Sequence, residues 1–568
     1  MATLPSATVR LSTSGGGVGV GSDLACILSC TSSGDTTVRQ YTKVSDLVAN
    51  HGAGEGIELA AHYVQLTGKP FLFRRLPTVT AGATQLDIEG VTGTSVISLT
   101  GTAVDDAHIV FRVVAGGTIG TAGITFRVSI DGENTPGPIV RLGTATSYAV
   151  PGTGITLAFA AGTLVAGDSA TVYTTAPKSD AAGISAALAA VAAQSRLPRL
   201  VILCGDVSTP EDLQGVMDAI NAYETTYGRH SRVICNVRDV YAPAKMQGNP
   251  SDVDFVAAAD TITRNTGSWI TDGFKVGMSV TIAGSASNNA YAGTVVTVTT
   301  TVLTVTNGIA DEANVLGSAL TITGIESASA WRTAIETIVG TSPGTLKVAH
   351  RVALRGGRCR RQSPLDGFRR RRPYAWASAC RAMSHDVHVS PAKVSLGPLE
   401  GWTIHRSDGS LEDHDERIDG GLLAIRIGCA TTHDVDSAPG VYEALPLTLD
   451  TDNASLSRLP VGFVADIACT VAKAETTRRL NEDVLLNSDG TIRESEAKRI
   501  ESYVQSVLGS ELLTERPEGQ RASDVTFTMA RDVDLRTPGA IVPCEVLVTP
   551  RGYLEAIATT VRVSRAGG

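Results

Sequence analysis

Polar and apolar residues alternate along two stretches of the chain, and a helical period governs much of the rest. Between residues 79 and 177, short runs such as "SVISLTG", "HIVFRVV", "GITFRVSI", "GITLAFA" and "DSATVYTT" are parted by the turn signals "DGEN" and "PGTG". Alternation turns one face of each run inward, and turn signals about every 8–12 residues are the rhythm of a β-sandwich or barrel. A second such stretch, with "MSVTIAG", "TVVTVTTTVLTVTNG" and "SALTITG", lies between residues 260 and 324.

The intervening segments predict an α/β host. "RLVILCG" (199–205) and "SRVICNV" (231–237) are continuous apolar runs, as in strands buried on both faces. Between them, "STPEDLQGVMDAINAYE" offers Ser208 and Thr209 as N-caps, Pro210 at the first turn, and Glu211 and Asp212 where they favour the helix dipole. Leu213, Val216, Met217, Ile220 and Tyr223 then share one helical face. This is a β-α-β unit, whose two strands should be parallel. Further helices are expected through "AAGISAALAAVAAQ" with Ser179 as cap, and near 327–339, 373–383 and 494–508. Strands are expected at "DVTFTMARD", "AIVPCEVLVTP" and "GYLEAIATTVRVS".

Composition narrows this picture. A chain of 568 residues exceeds one core and predicts two to four domains. With 43% hydrophobic and 18% charged residues it is an ordinary folded protein, and its 58 glycines favour turns and short strands. A net charge of −9 argues against a general nucleic-acid coat. No run matches a secretory signal or a membrane span, so folding in a cytosol is expected. The nine cysteines form no paired CxxC, and none falls in either β-rich stretch. Both stretches therefore read as insertions into one host.

Candidate chemistry is sparse. "GGGVGVG" (15–21) fits no phosphate-loop spacing and has no following Walker lysine, so it reads as a hinge. "SHDVH" sets His385 and His388 three apart, but no second Cys or His pair completes a metal site. Cys204 and Asp206 end an α/β strand, where ligands often bind, yet no catalytic constellation accompanies them. The strongest feature is a run of arginines, Arg351, Arg355, Arg358, Arg360, Arg361, Arg369, Arg370, Arg371, Arg372 and Arg381, with Asp366 the one acid among them. So dense a cluster is expected to meet negative charge on another subunit or protein, with nucleic acid and a plain solvated basic loop as the alternatives.

Several linked stretches resemble contractile tail sheath proteins of myovirus-type bacteriophages. They are "SPLDGFRRRRPYAWASACRAMSHDVHVSPAKVSLGPLEG", "DERIDGGLLAIRIGCATT", "LSRLPVGFVADIACTVAKAET", "LNSDGTIRESEAKRIESYV" and "ARDVDLRTPGAIVPCEVLV", in the order such proteins have them. The stretch from "GGTIGTAGITFRVSIDG" to "SATVYTTAP" is similar to a β-domain inserted in such sheaths. The resemblance implies an α/β (α+β) sheath core with two inserted all-β domains and extended N- and C-terminal strand arms. The expected divisions are 1–21, arm and hinge; 22–78, core; 79–177, first insertion; 178–259, core; 260–325, second insertion; 326–540, core; and 541–568, strand and arm.

The resemblance further implies a non-enzymatic virion protein without cofactor or metal, assembled in the host bacterial cytoplasm. It would polymerise with itself as stacked rings or a helix around the inner tail tube protein, meeting baseplate and tail terminator proteins. Contraction would drive the tube through the host envelope for genome delivery, with no direct nucleic-acid contact and no membrane insertion. A tailocin or related injection-system sheath is the near alternative; an α/β enzyme with β binding modules is the distant one. The linking strands would be Thr8, Val9, Arg10, Leu11, Ser12 and Thr560, Val561, Arg562, Val563, Ser564, hinged at Gly15, Gly16, Gly17, Gly19 and Gly21. Arg369, Arg370, Arg371 and Arg372 are the expected tube contact. Cys26, Cys30 and Cys544, near the arms, are the candidates for interchain disulfides.

Overall fold

The computed structural model describes residues 24–553, apart from 134, 248–249, 307, 341–347, 405–425, 434–439 and 451–455. Its centre is a six-stranded sheet in the order Arg39–Tyr41, Phe71–Arg75, Ala25–Ser29, Leu200–Leu203, Arg232–Asn236, Val352–Arg355. All neighbours are parallel except the edge strand Arg39–Tyr41. Strand side chains alternate between two apolar layers. Ala25, Ile27, Phe71, Phe73, Leu200 and Ile202 face helices Glu55–Thr67, Tyr374–Ser384 and Leu459–Arg478. Cys26, Leu28, Leu72, Val201 and Leu203 face Ala181–Ala192, Pro210–Tyr227 and Ala328–Val339. Burial on both sides explains why these strands read as unbroken apolar runs.

The expected β-α-β unit is present. Leu200–Leu203 and Arg232–Asn236 are parallel, and Thr209 caps the helix between them in a reciprocal capping box with Asp212. The helix Ala181–Ala192 is capped by Asp180, one residue beyond the expected Ser179, because the Asp180 carboxylate accepts from the Gly183 amide at 2.8 Å.

The first β-rich stretch leaves the core after Phe71–Arg75. A five-stranded antiparallel sheet and a three-stranded one enclose Phe111, Phe126 and Phe159. Its entry and exit are tied together: the Val79 and Thr80 amides donate to the Lys178 carbonyl at 2.9 and 3.0 Å, and the Lys178 amide returns to the Thr80 carbonyl at 2.9 Å. The second stretch forms an eight-stranded antiparallel sheet around Trp269, Phe274 and Met278. Two of its strands, Ala244–Lys245 and Val253–Val256, precede residue 260, where the alternation first becomes long enough to read. Arg238 closes its base on Glu326 with two bonds, at 2.8 and 2.6 Å. Gln85 donates to the Pro243 carbonyl at 2.6 Å and Gln247 to Asp87 at 3.1 Å, so the two β units also touch each other.

Beyond the core sheet, helices Leu459–Arg478 and Glu494–Leu512 pack together, and a hairpin of Ala522–Met529 and Cys544–Pro550 lies against them. Thirteen of the twenty residues of helix Leu459–Arg478 are buried, spread around it rather than along one stripe, so it lacks the one-faced pattern that marks a surface helix in sequence.

Candidate strand-docking edge and arginine hairpin

In the terminal hairpin, Val525 and Phe527 are buried, and Val546 and Val548 pack partly against the same core. Thr526, Thr528, Glu545 and Leu547 point to solvent. The two edges of this small sheet differ. On Ala522–Met529, the Phe527 amide donates to Gln505 Oε1 at 2.8 Å, Gln505 Nε2 donates to the Val525 carbonyl, and the Met529 amide donates to Glu501 Oε1 at 2.7 Å. Helix Glu494–Leu512 thus supplies side chains where a neighbouring strand would bind. Arg531 fixes Glu501 at 2.6 Å and Glu494 at 2.9 Å.

Backbone groups on an antiparallel strand point alternately toward and away from its partner. Val525, Phe527 and Met529 use theirs on the helix, and they pair with Val548, Val546 and Cys544. Cys544, Val546 and Val548 therefore turn their amides and carbonyls outward on the opposite edge. Among the described residues nothing pairs with that edge. It is an open template for one more strand.

A second constellation comes from the arginine run. Arg358–Gln362 and Arg369–Pro373 form an antiparallel hairpin, with Arg360 opposite Arg371 and Arg361 opposite Arg370. Arg372, with a 0% exposed side chain, holds Asp105 at 2.8 and 2.7 Å and also pairs with Glu58. Its guanidinium lies 5.3 Å from the Trp376 ring. Arg370 pairs with Glu58 and Asp366, Arg371 with Asp239 at 2.9 Å, and Arg358 with Asp206 and, at 3.2 Å, Asp106. Asp105 and Asp106 belong to the first inserted unit, and Glu58 to the core helix Glu55–Thr67. The hairpin is the seat that joins them. Burial disfavours charge on Arg372, but Asp105 and Glu58 outweigh it and raise its pKa. For Asp206, burial outweighs the help from Arg358 and lifts the carboxyl to about 6.

This corrects, for Arg370 and Arg372, the expectation that Arg369 to Arg372 form the tube contact. Arg370 and Arg372 are buried and paired with acids of the same chain. Arg371 is partly exposed, and exposed Arg369 donates to Thr403 at 2.8 Å. Further along the run, Arg355 is buried against Glu443 at 2.9 Å, and Arg351 holds Glu224 at 2.8 Å together with Asp466. The sequence could not show these partners, because they lie far away along the chain.

The thiol expectation is corrected in part. Cys26 and Cys30 are buried, and burial pushes the Cys26 thiol up to about 12 against the opposing pull of Arg74. Cys544 is exposed, on the open strand. His385 sits 2.9 Å from Glu518, while His388 donates to the Glu518 carbonyl at 2.8 Å, and no metal-binding group occurs among the described residues. Cys204 is buried and Asp206 is engaged by Arg358. Both expected linking strands and the glycine hinge lie outside the described residues. Gln505 and Glu501 were missed in the sequence; their signal is the four-residue spacing beside the apolar stripe of Ile500, Val504 and Leu508.

No protein-family profile matches the chain, and no curated protein does. Among solved structures it is similar to a sheath tail protein from Listeria innocua, at 12% identity and TM-score 0.35, covering 93% of this chain and 96% of that one. It is also similar to a chain of the anti-feeding prophage baseplate, at 11% identity and TM-score 0.35, covering 69% of this chain and 76% of that one. Similarity at this level assigns no function.

Proposed function

We propose that this chain is a structural subunit of a contractile tail sheath, polymerising by strand exchange around an inner tube and contracting to drive the tube through a bacterial envelope. The observation that carries this reading is the open outer edge of Cys544–Pro550, opposite an edge sealed by the chain's own helix. Thr8 to Ser12 and Thr560 to Ser564 have the alternating pattern that such an edge accepts. Four or five net hydrogen bonds at about 0.5–1.5 kcal/mol each make one link weak, while many links in a lattice hold collectively. The resemblance of the core stretches to tail sheaths supports the same reading. The work of contraction would come from energy stored in the assembled lattice, so the proposed role involves no catalytic centre.

Negative-stain microscopy of the expressed chain should show hollow helical tubes or stacked rings. Removing the residues before Gly15, or those after Ala556, should leave a folded protein that no longer polymerises. A discrete monomer at high concentration, or unimpaired tubes from both truncations, would overturn the proposal.

A further inference from the structure

The first inserted unit keeps its acids and its bases apart. Residues 79–177 hold seven acidic and three basic residues. Asp105 and Asp106 turn to the arginine seat, Asp131 accepts the Arg369 amide at 2.8 Å, Asp168 accepts the Thr92 and Val165 amides at 2.7 Å, and Asp87 accepts from Gln247. The three bases, Arg112, Arg127 and Arg141, gather on one exposed face. Phe111, Val113, Phe126 and Val128 point into the unit's core, so the residues between them point out. Arg112, on strand Ala107–Ala115, stands directly opposite Arg127 on Thr125–Ser129. Arg141, on the edge strand Ile139–Arg141, stands opposite Thr125, two residues from Arg127.

Like charges placed opposite each other repel. Glu133 meets Arg112 at 3.2 Å, an exposed pair of small worth, and neither Arg127 nor Arg141 has an ion pair among the described residues. Exposed Val114 and Ile139 lie beside them. The chain's own second unit does not fill this face. It touches strand Thr84–Glu89 at the other edge of the same five-stranded sheet, four strand spacings or about 19 Å from Ile139–Arg141.

The second unit carries the complement. Its strand Val253–Val256 and the edge strand paired with it, Glu312–Val315, lie in stretches with five acids and no lysine or arginine, at 250–263 and 308–319. Asp254 accepts the Asn314 amide and Asp311 the Ala257 amide, each at 2.7 Å, and neither has an ion pair among the described residues. Exposed Val256 and Leu316 lie beside them.

We propose that the face of Arg112, Arg127 and Arg141 is an interface between copies of this chain, seated against the acidic edge around Asp254 and Asp311 of a neighbouring copy's second unit. A contact between unlike faces repeats from copy to copy, as a ring or helix requires. The inference rests on the self-association proposed above, but not on the terminal strands or on contraction.

The test is sedimentation of the full chain at low and high salt. Arg127→Gln with Arg141→Gln should raise the concentration for half-association by about tenfold at low salt and remove most of its salt dependence. Asp254→Asn with Asp311→Asn, whose amide oxygens keep the two backbone bonds, should do the same. All four together should cost no more than either pair, because each pair alone already breaks the contact. The arginine variant should melt no lower than the wild type, since it relieves the repulsion from Arg112. Unchanged association in either pair, or additive losses in the fourfold variant, overturns the proposal. Retention on a heparin matrix that is lost in the arginine variant, with association unchanged, overturns it in favour of an anionic glycan. Tubes that form equally in all variants overturn this interface and leave the sheath reading standing. Association that follows the expected cycle in a chain forming no tubes supports the interface and counts against the sheath.

Discussion

Replacing Arg372 by methionine tests whether the arginine hairpin is a load carried inside the molecule. The side chain is fully buried, its guanidinium faces Asp105 at 2.8 and 2.7 Å and Glu58 besides, and the Trp376 ring lies beneath it. Methionine fills much of the space but leaves two carboxylates without their cation. Deleting one partner of a buried ion pair costs about 3–5 kcal/mol. Arg370 still reaches Glu58, so the lower half of that range is expected, about 3–4 kcal/mol. Urea unfolding followed by tryptophan fluorescence reads this directly, because residues 79–177 contain no tryptophan and the signal comes from the core and the second insertion. Adding Asp105→Leu should restore part of the loss, since it removes one stranded acid. A loss below about 1 kcal/mol, the size of an exposed pair, would refute the reasoning, as would a double variant no more stable than the single.

Gln505→Ala should cost about 1–3 kcal/mol by stranding backbone groups of Val525 and Phe527, and should raise self-association in light scattering by opening a second edge. Unchanged stability and scattering would show that this side chain does not seal the edge. Burial alone would raise the Asp466 carboxyl, but Arg232 and Arg351 outweigh it and hold it below the ordinary range. Its contribution is therefore present above the ordinary aspartate range and lost as pH falls through it, so Asp466→Asn should flatten the acid limb of an unfolding titration followed by circular dichroism. An unaltered limb would contradict this. Thiol reagents should modify Cys469 and Cys544 first and Cys26 only on unfolding, as peptide mass spectrometry would show. Early labelling of Cys26 would contradict its burial.

Local physics made much of the core legible. The unit from Leu200–Leu203 to Arg232–Asn236 was readable because capping, dipole charges and a helical stripe all agreed around Thr209. The two alternating stretches were readable because a half-exposed strand displays its period. Helix Leu459–Arg478 was not, since its buried residues are spread around the helix and leave no single apolar stripe. The arginine run was misread for a related reason. Charge density in sequence registers the four neighbouring arginines but not Glu58 or Asp105, which only the folded chain brings to Arg372. Asp239 likewise reaches Arg371 across more than a hundred residues of chain. The open strand edge could be read only as a strand, because which edge is covered depends on where Gln505 and Glu501 land.

The backbone closure at Val79, Thr80 and Lys178 has a consequence for how this protein could change. Because the chain departs and returns at one spot, the host fold experiences the whole intervening unit as if it were a tight turn. The Arg238 and Glu326 pair does the same for the second unit. Either cargo could be exchanged for another, or shortened to a few residues, while the core strands keep their register. The arginine seat then becomes the part that must be rewritten with it, since a core without Asp105 would be left with Arg372 and nothing opposite it from outside. Swapping the first unit would thus be an edit at the neck, at the seat and where Gln85 and Asp87 meet the second unit, whereas the second has its main electrostatic clasp at the neck alone.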